Sequence, residues 1–348
     1  MGALGRPNPR GTLDKWQGVH VRDLADTGST ESAGSFNKTV KMGWPCDIFQ
    51  QQFSDIFSHS MKIVSERPRL IVCATPWSMV GQPSPRREWK MPRQLREIKK
   101  EGFDGVCAFI SPEMAAEAGK LGLVLMSGFD CGDLAVARAK LESQRALGVR
   151  FINIQLLDHD TPPAKAAKMA VKLIALSRRL GLSVHIEVHR DTATETPEKF
   201  TEINDRYTQE TGEIMPVTWD HSHFAVSKHI LPKDYSARLL LWPDSIQHSQ
   251  MFHLRPFNSQ HCQVPVTNGK GKLTPEFMDY IRFVEDLFAL WLVGPRPGNT
   301  LWTCPELGTT VGYNVSTNPP VWPDAVRCRK EILLAWERAY SRMSTKKT

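Results

Sequence analysis

The chain has 348 residues, 41% of them hydrophobic and 23% charged, which is the composition of a soluble globular protein with a sizeable core. The net charge of +7 comes from lysines and arginines that are spread among acids, so it permits anionic ligands but does not indicate nucleic-acid binding. No apolar run approaches the roughly 20 residues that a membrane helix needs, and we expect neither a membrane nor a nucleic acid as partner.

The cysteines and the N-terminus bear on the compartment. The seven cysteines are scattered and include no CxxC pair, which is typical of reduced thiols in a cytosolic protein. The N-terminal residues lack the apolar block of a signal peptide. We therefore expect a cytoplasmic protein.

The first part of the chain differs in composition from the rest. Residues 1–46 are rich in Gly, Pro, Ser, Thr and Asn and show little periodicity, which predicts a flexible or surface-draped segment. In residues 47–64 apolar side chains recur at i, i+4, i+7 and i+8, the pattern of one helical stripe that packs on the main domain or on a partner subunit. These side chains are Phe49, Phe53, Ile56 and Phe57.

We therefore predict an N-terminal extension over residues 1–65, partly flexible and with a short amphipathic helix, followed by a second unit over residues 66–348. An alternative is that the natural start lies downstream, near Met61, and that the leader is dispensable.

From residue 69 onward strand-like and helix-like segments alternate. Apolar runs predict eight strands, at 70–77, 105–110, 123–129, 151–157, 182–190, 215–224, 249–257 and 300–308. Helical patterns lie between and after them, at 93–102, 111–122, 133–148, 162–181, 196–211, 233–241, 274–294 and 324–342. Regular alternation indicates a parallel sheet, and eight strands favour a closed (β/α)₈ TIM barrel. A doubly wound open sheet is disfavoured because no Gly-rich phosphate loop follows the first strand.

The ends of the last four predicted strands carry metal-type ligands. In "VHIEVHRD" (184–191) side chains alternate in direction, so Glu187 lies on the face opposite Val184, Ile186 and Val188. The next three strands offer Asp220, His253 and Glu306, and the first two intervals in this series are both 33 residues. Each residue alone also has a structural explanation, since an Asp at a strand end often caps the next helix.

Barrel enzymes place their chemistry at the carboxyl ends of strands, and there the four residues come into register. Three carboxylates and one imidazole suit a hard or borderline divalent ion such as Mn²⁺, Mg²⁺ or Co²⁺. Thiolates, which would indicate structural zinc, are absent from the set.

Four motifs carry a resemblance to a known family: "HIEVHRD", "TWDHSHF", "FHLRPF" and "TCPELG". Over about residues 69–342 the chain resembles the xylose isomerase-like TIM-barrel superfamily, the sugar phosphate isomerase/epimerase group. This resemblance implies that Glu187, Asp220, His253 and Glu306 hold a catalytic metal. The family's epimerases usually carry an arginine about six residues after the metal histidine. Here Ser259 takes that position, and an arginine stands at 255 instead.

The resemblance also implies an activity. It predicts a metal-dependent sugar isomerase or epimerase that acts through an enediolate, with Glu187 and Glu306 as both ligands and proton carriers. One divalent ion is expected, with Mn²⁺ favoured over Mg²⁺, Co²⁺ and Zn²⁺. The partner is a small-molecule sugar or sugar derivative, and we expect a homo-oligomer or a hetero-complex. The predicted substrate-binding residues are His223, Arg255, His189 and Gln155.

Three alternatives remain. The same scaffold performs dehydration or lyase chemistry on keto-sugars, cyclitols and keto-glycosides, including C- or O-glycoside cleavage. An endonuclease IV-like relative that cuts abasic DNA with three zinc ions would need further ligands on the early strands, which "LIVCATPW" and "GVCAFI" do not supply. A non-catalytic subunit is disfavoured because the ligand set is intact.

Overall fold

Eight parallel strands close into a barrel in the computed structural model, which describes residues 66–310 and 312–345. Each strand pairs in parallel with the next one along the chain, and the first pairs with the last. The strands are β1 (Arg69–Ala74), β2 (Gly105–Cys107), β3 (Val124–Cys131), β4 (Phe151–Leu156), β5 (Ser183–Glu187), β6 (Val217–Trp219), β7 (Met251–His253) and β8 (Thr300–Cys304). The predicted TIM barrel is confirmed, and the open sheet is excluded.

Helices follow the strands in the described residues. They are α1 (Met91–Lys100), α2 (Pro112–Leu121), α3 (Leu134–Ala146), α4 (Pro163–Arg179), α5 (Pro197–Thr211), α6 (His221–Ser227), α7 (Tyr235–Leu239), α8 (Pro243–His248), α9 (Pro275–Val293) and α10 (Val321–Thr345). Short 3₁₀ turns lie at Pro76–Met79, Pro232–Asp234 and Pro297–Asn299. None of these helices combines the length and the apolarity needed to cross a bilayer.

The sixth predicted strand, 215–224, is too long. Only Val217–Trp219 is extended, and residues from His221 onward form α6. The cause is Asp220, whose side chain accepts a 3.0 Å hydrogen bond from the backbone N–H of Ser222 and so caps the helix. The strand ends where this cap begins.

The core has two layers. Val184, Ile186 and Val188 belong to the large apolar cluster between the sheet and the helices. A separate small cluster, formed by Ile71, Cys73, Met126, Met251 and Cys304, fills the barrel interior. His185 and Glu187 point to the interior side and are buried. The period-two alternation of β5 therefore separates its packing side chains from its polar ones.

Residues 1–65, where we predict an extension with an amphipathic helix, lie outside the described residues, and that prediction stays untested.

Candidate metal centre

Four ligand-type side chains converge at the carboxyl ends of the last four strands. Glu187 and His253 are the last residues of β5 and β7, Asp220 directly follows β6, and Glu306 lies just beyond β8. One oxygen or nitrogen atom from each residue lies within 4.8 Å of those of the other three. Glu187, Asp220 and His253 are buried, and Glu306 is partly buried. The four residues that the sequence predicts as ligands are thus gathered in one place.

His253 lies between the two glutamates. Its Nδ1 atom is 2.7 Å from Oε1 of Glu187 and 3.0 Å from Oε2 of Glu306. The other oxygen of Glu187, Oε2, accepts a 2.6 Å hydrogen bond from the side-chain amide of Asn153 on β4. These contacts bring the two carboxylates together at one nitrogen of the imidazole ring.

The electrostatics keep the carboxylates ionised. Burial pushes the pKa of Glu306 upward, but Arg255 and His253 outweigh it and bring that pKa to about 2. Burial likewise opposes ionisation of Asp220, yet His223 and Arg255 hold its pKa well below the ordinary value. Burial favours neutral His253, but the charges of Glu306 and Glu187 raise its pKa well above the ordinary value. In this state the imidazole ring itself carries one of the positive charges that balance the carboxylates.

The donor set fits a divalent cation. Three carboxylates face one guanidinium and one imidazolium, so the cluster keeps an excess negative charge that a divalent ion replacing the imidazolium proton would cancel. Two buried atoms, Oδ2 of Asp220 and Nε2 of His253, have no hydrogen-bond partner. Buried polar atoms nearly always have a partner in folded proteins, and a bound cation would supply one. Within residues 66–310 and 312–345, no other group of three or more such residues brings its ligand atoms this close.

Arg255 is enclosed within the cluster and is only 1% exposed. One of its terminal nitrogens donates to Oε2 of Glu306, and its Nε atom lies 3.4 Å from Oδ2 of Asp220. The guanidinium also stacks on Tyr313, with 4.2 Å to the ring centroid, and Trp77 is 5.9 Å away. Arg255 therefore orients two of the three ligand carboxylates.

Two predicted substrate-binding histidines lie beside Asp220. Nε2 of His223 is 3.3 Å from Oδ2 of Asp220, and burial lowers the pKa of His223 to about 4. The rings of His189 and His223 are 4.1 Å apart. Nδ1 of His223 is buried without a hydrogen-bond partner, whereas its Nε2 atom faces Asp220.

A cavity of about 290 Å³ opens beside His253 and Glu306. Gln155, the remaining predicted binding residue, lines it together with Asn153. His223, His189 and Arg255 do not line this cavity. Of the four predicted binding residues, Gln155 alone is among the described residues that line this cavity.

The sequence did not predict that several other side chains belong to this region. Trp77, Cys107 and Phe129 come from the first three strands or the turns after them and line the cavity. Tyr313, from the segment between β8 and α10, packs edge-on against Trp77 at 5.0 Å. The signal was weak, because an aromatic residue after a strand, as in "ATPW", is more often a packing residue than a ligand contact.

Comparison with known proteins gives the fold a name. No protein-family model matches the sequence, and no curated protein matches it. Among solved structures, an L-ribulose 3-epimerase matches with a TM-score of 0.53 and 14% identity, over 81% of this chain and 99% of that one. A xylose isomerase-like TIM-barrel protein from Mycobacterium smegmatis in complex with magnesium matches with a TM-score of 0.51 and 14% identity, over 80% and 99%.

The chain has the fold of the xylose isomerase-like TIM barrels. A xylose isomerase-like TIM barrel/4-hydroxyphenylpyruvate dioxygenase fusion protein also matches, with a TM-score of 0.53 and 14% identity, over 80% of this chain and 45% of that one. The predicted resemblance is confirmed for the fold, and the reaction has to be argued from the residues of this chain.

Proposed function

We propose that this chain is a divalent-metal-dependent isomerase or epimerase of keto-sugars, which acts by removing a proton from the carbon next to a carbonyl. The observation that supports this proposal most is the cluster of Glu187, Asp220, His253 and Glu306, with its unpartnered atoms on Asp220 and His253. Mn²⁺ is the proposed ion, with Mg²⁺, Co²⁺ and Zn²⁺ as alternatives that suit the same donors.

When bound, the divalent ion would polarise the carbonyl of the sugar and make the neighbouring C–H more acidic. The proposed proton carriers are Glu187 and Glu306, one removing the proton to leave an enediolate and the other returning a proton. Both carboxylates contact the same atom, Nδ1 of His253, so both lie at the centre of the ligand cluster, which supports their choice as proton carriers. An epimerase returns the proton to the same carbon from the other face, whereas an isomerase returns it to the adjacent carbon.

Other residues position these carriers. Asn153 holds Oε2 of Glu187, and Oε1 faces His253. Arg255 holds Glu306, and its Nη1 atom has no hydrogen-bond partner. We propose that this nitrogen and His223 stabilise the negative charge that develops on the oxygens of the sugar.

The proposal is tested by metal analysis and by proton exchange. Protein purified and then loaded with Mn²⁺ should hold one ion per chain, and His253→Gln should lose most of it. His248→Gln is the matched control, because His248 is exposed and its Nδ1 contacts only the backbone oxygen of Asp244. A control variant that loses the ion equally, or a wild type without metal, contradicts the proposed site.

Exchange in D₂O tests the chemistry. A panel of ketoses, keto-glycosides and cyclitols is incubated with the loaded protein, and deuterium at the carbon next to the carbonyl is followed by NMR. Deuterium in an isomerised or inverted product supports the proposal. Loss of a substituent from the sugar indicates the lyase alternative, which begins with the same proton abstraction. An absence of exchange in every substrate contradicts both the isomerase or epimerase proposal and the lyase alternative.

A further inference from the structure

Two guanidiniums lie over one aromatic ring beside the metal centre. The Cζ atom of Arg255 is 4.2 Å from the ring centroid of Tyr313, and that of Arg190 is 4.5 Å from the same centroid. The two Cζ atoms are therefore at most 8.7 Å apart, which is the sum of these distances. Like charges at this separation repel each other, and the ring attracts each of them only weakly.

The charge of Arg190 is left without a counter-ion. Among the described residues, Arg190 contacts Cys262 and Tyr313 but pairs with no carboxylate. Its Nη1 atom lies 2.6 Å from Sγ of Cys262, and burial raises the pKa of that thiol, which therefore stays uncharged. The neighbouring carboxylate of Asp191 is engaged elsewhere, because its Oδ1 atom is 2.6 Å from Nδ1 of His159.

Arg255 has an unused donor. Its Nη1 atom is buried and has no hydrogen-bond partner, whereas its other nitrogens face Glu306 and Asp220. Buried donors are nearly always bonded in folded proteins. Nη1 carries two N–H groups, so one is left when the other meets the sugar oxygen of the proposed reaction.

The charge count of the loaded centre favours an anion at this point. A divalent ion and Arg255 together would balance the three ligand carboxylates. Arg190 then adds one positive charge that none of its described contacts cancels. A phosphate or a carboxylate would supply the missing negative charge, and both match the planar fork of guanidinium N–H groups.

Tyr313 is placed to cover the two arginines. Its ring is half-buried, meets Trp77 edge-on at 5.0 Å and lies outside the large apolar cluster of the core. Gly312 before it and residues 315–317 after it are exposed. The ring can therefore move without opening the core.

We propose that Arg190 and Arg255 together bind one acidic group of the substrate, a phosphate or a carboxylate, and that the ring of Tyr313 covers this site until the acid takes its place. This inference rests on the proposed function and names its substrate class. Two guanidiniums that hold one such group place their Cζ atoms up to about 8 Å apart, which is within the limit set by the shared ring.

The test is calorimetric binding of three ketoses to the full-length, Mn²⁺-loaded protein. D-fructose, D-fructuronate and D-fructose 6-phosphate share one skeleton and differ in the group at the last carbon, which is a hydroxyl, a carboxylate or a phosphate. At least one of the two acids should bind about tenfold more tightly than D-fructose, the gain expected for a charge-assisted hydrogen bond. The tighter acid identifies the group that the site takes. Acids that bind no better than D-fructose, or no binding of all three, overturn the inference.

Two substitutions locate the acidic group. Arg190→Met should remove most of the preference for the acid over D-fructose. Lys140→Met is the matched control, because it removes another cation near the metal centre. Nζ of Lys140 lies 4.9 Å from the ring centroid of Phe129, which lines the 290 Å³ cavity, and 3.5 Å from the backbone oxygen of Asp130. A preference that survives in Arg190→Met, or that disappears in Lys140→Met, overturns the assignment to the two arginines.

Two substitutions of Tyr313 test the cover. Tyr313→Ala removes two cation–π contacts that the acid has to displace, so it should bind the preferred acid about three- to tenfold more tightly than wild type. Its affinity for D-fructose should not change. Tyr313→Phe keeps a ring and should bind the acid as wild type does. Equal or weaker binding of the acid by Tyr313→Ala overturns the role of the ring.

The two proposals fail in different ways. Protein without bound metal, or metal-loaded protein that exchanges no substrate proton, counts against the proposed function. Metal-loaded, exchanging protein that binds both acids no better than D-fructose overturns only the inference on the substrate.

Discussion

Replacing Arg255 by methionine tests how the metal centre balances its charge. The side chain is 1% exposed and its Nε atom is 3.4 Å from Oδ2 of Asp220. At that separation and an effective dielectric constant of about 20, the attraction is about 5 kcal/mol. Removing one partner of a buried ion pair typically costs about 3–5 kcal/mol, because the remaining charge stays buried without its partner. We therefore expect the metal-free Arg255→Met protein to lose about that much unfolding free energy.

The loss of unfolding free energy in Arg255→Met should be smaller when metal is bound. A divalent ion supplies positive charge to Asp220 and Glu306, so the loaded protein depends less on the guanidinium. The loss of unfolding free energy differs between the metal-free and the metal-loaded protein. By linkage, this difference equals the amount by which the substitution strengthens metal binding. We expect the variant to bind Mn²⁺ at least about tenfold more tightly, which corresponds to about 1.4 kcal/mol.

The assay is urea unfolding of wild type and variant, each with chelator and with saturating Mn²⁺, together with calorimetric titration of the metal. Arg190→Met is the matched control. Arg190 is exposed and stacks on the same Tyr313 ring, at 4.5 Å, but it contacts neither Asp220 nor Glu306. Arg190→Met should change the free energy of unfolding by less than about 1 kcal/mol, both with and without metal. Equal destabilisation of Arg255→Met with and without metal would refute the reasoning, since it would show that Arg255 contributes only packing.

Three further predictions concern the site and the chain around it. Glu306→Gln should stay about 10²–10⁴-fold slower than wild type at saturating metal, while Glu187 still exchanges the substrate proton with solvent; full activity at saturating metal would rule out Glu306 as a proton carrier. Deleting residues 1–46 should leave the circular dichroism spectrum and the metal content unchanged, because this segment has little apolar content, and loss of folding would show a structural role. Gly308→Ala should lower the unfolding free energy by about 1–3 kcal/mol, because the added methyl group meets the indole of Trp77, and a variant as stable as wild type in urea would contradict this.

The sequence predicted the barrel and the gathering of its ligands for a simple physical reason. Alternation along β5 puts Val188 and Glu187 on opposite faces, and parallel strands all end at the same edge of the sheet. Residues at strand ends, such as Asp220 and His253, are therefore neighbours in space although they are far apart along the chain. No knowledge of side-chain packing was needed.

The ends of elements were less predictable. "TWDHSHF" alternates well enough to continue a strand, but the competing hydrogen bond from the backbone N–H of Ser222 to the side chain of Asp220 starts a helix there. The end of β6 depends on the balance between a longer strand and a capped helix, and the sequence pattern alone does not decide between them.

Contacts made by barrel closure could not be predicted. β1 pairs with β8, which brings Trp77 against Gly308 and within 2.7 Å of Oγ1 of Thr310. These residues are more than 200 positions apart in sequence. The bond from Arg255 to Glu306 joins the ends of the neighbouring strands β7 and β8, and it was not predicted because nothing in "FHLRPF" indicates which carboxylate the arginine reaches.

The most direct test of the metal centre is a crystal structure of the Mn²⁺-loaded protein with anomalous diffraction measured above the manganese edge. We expect one strong peak at the carboxyl end of the barrel, with ligand atoms of Glu187, Asp220, His253 and Glu306 about 2.0–2.4 Å away. A peak elsewhere, or any two of these side chains turned toward the helix layer while the ion is bound, would contradict it.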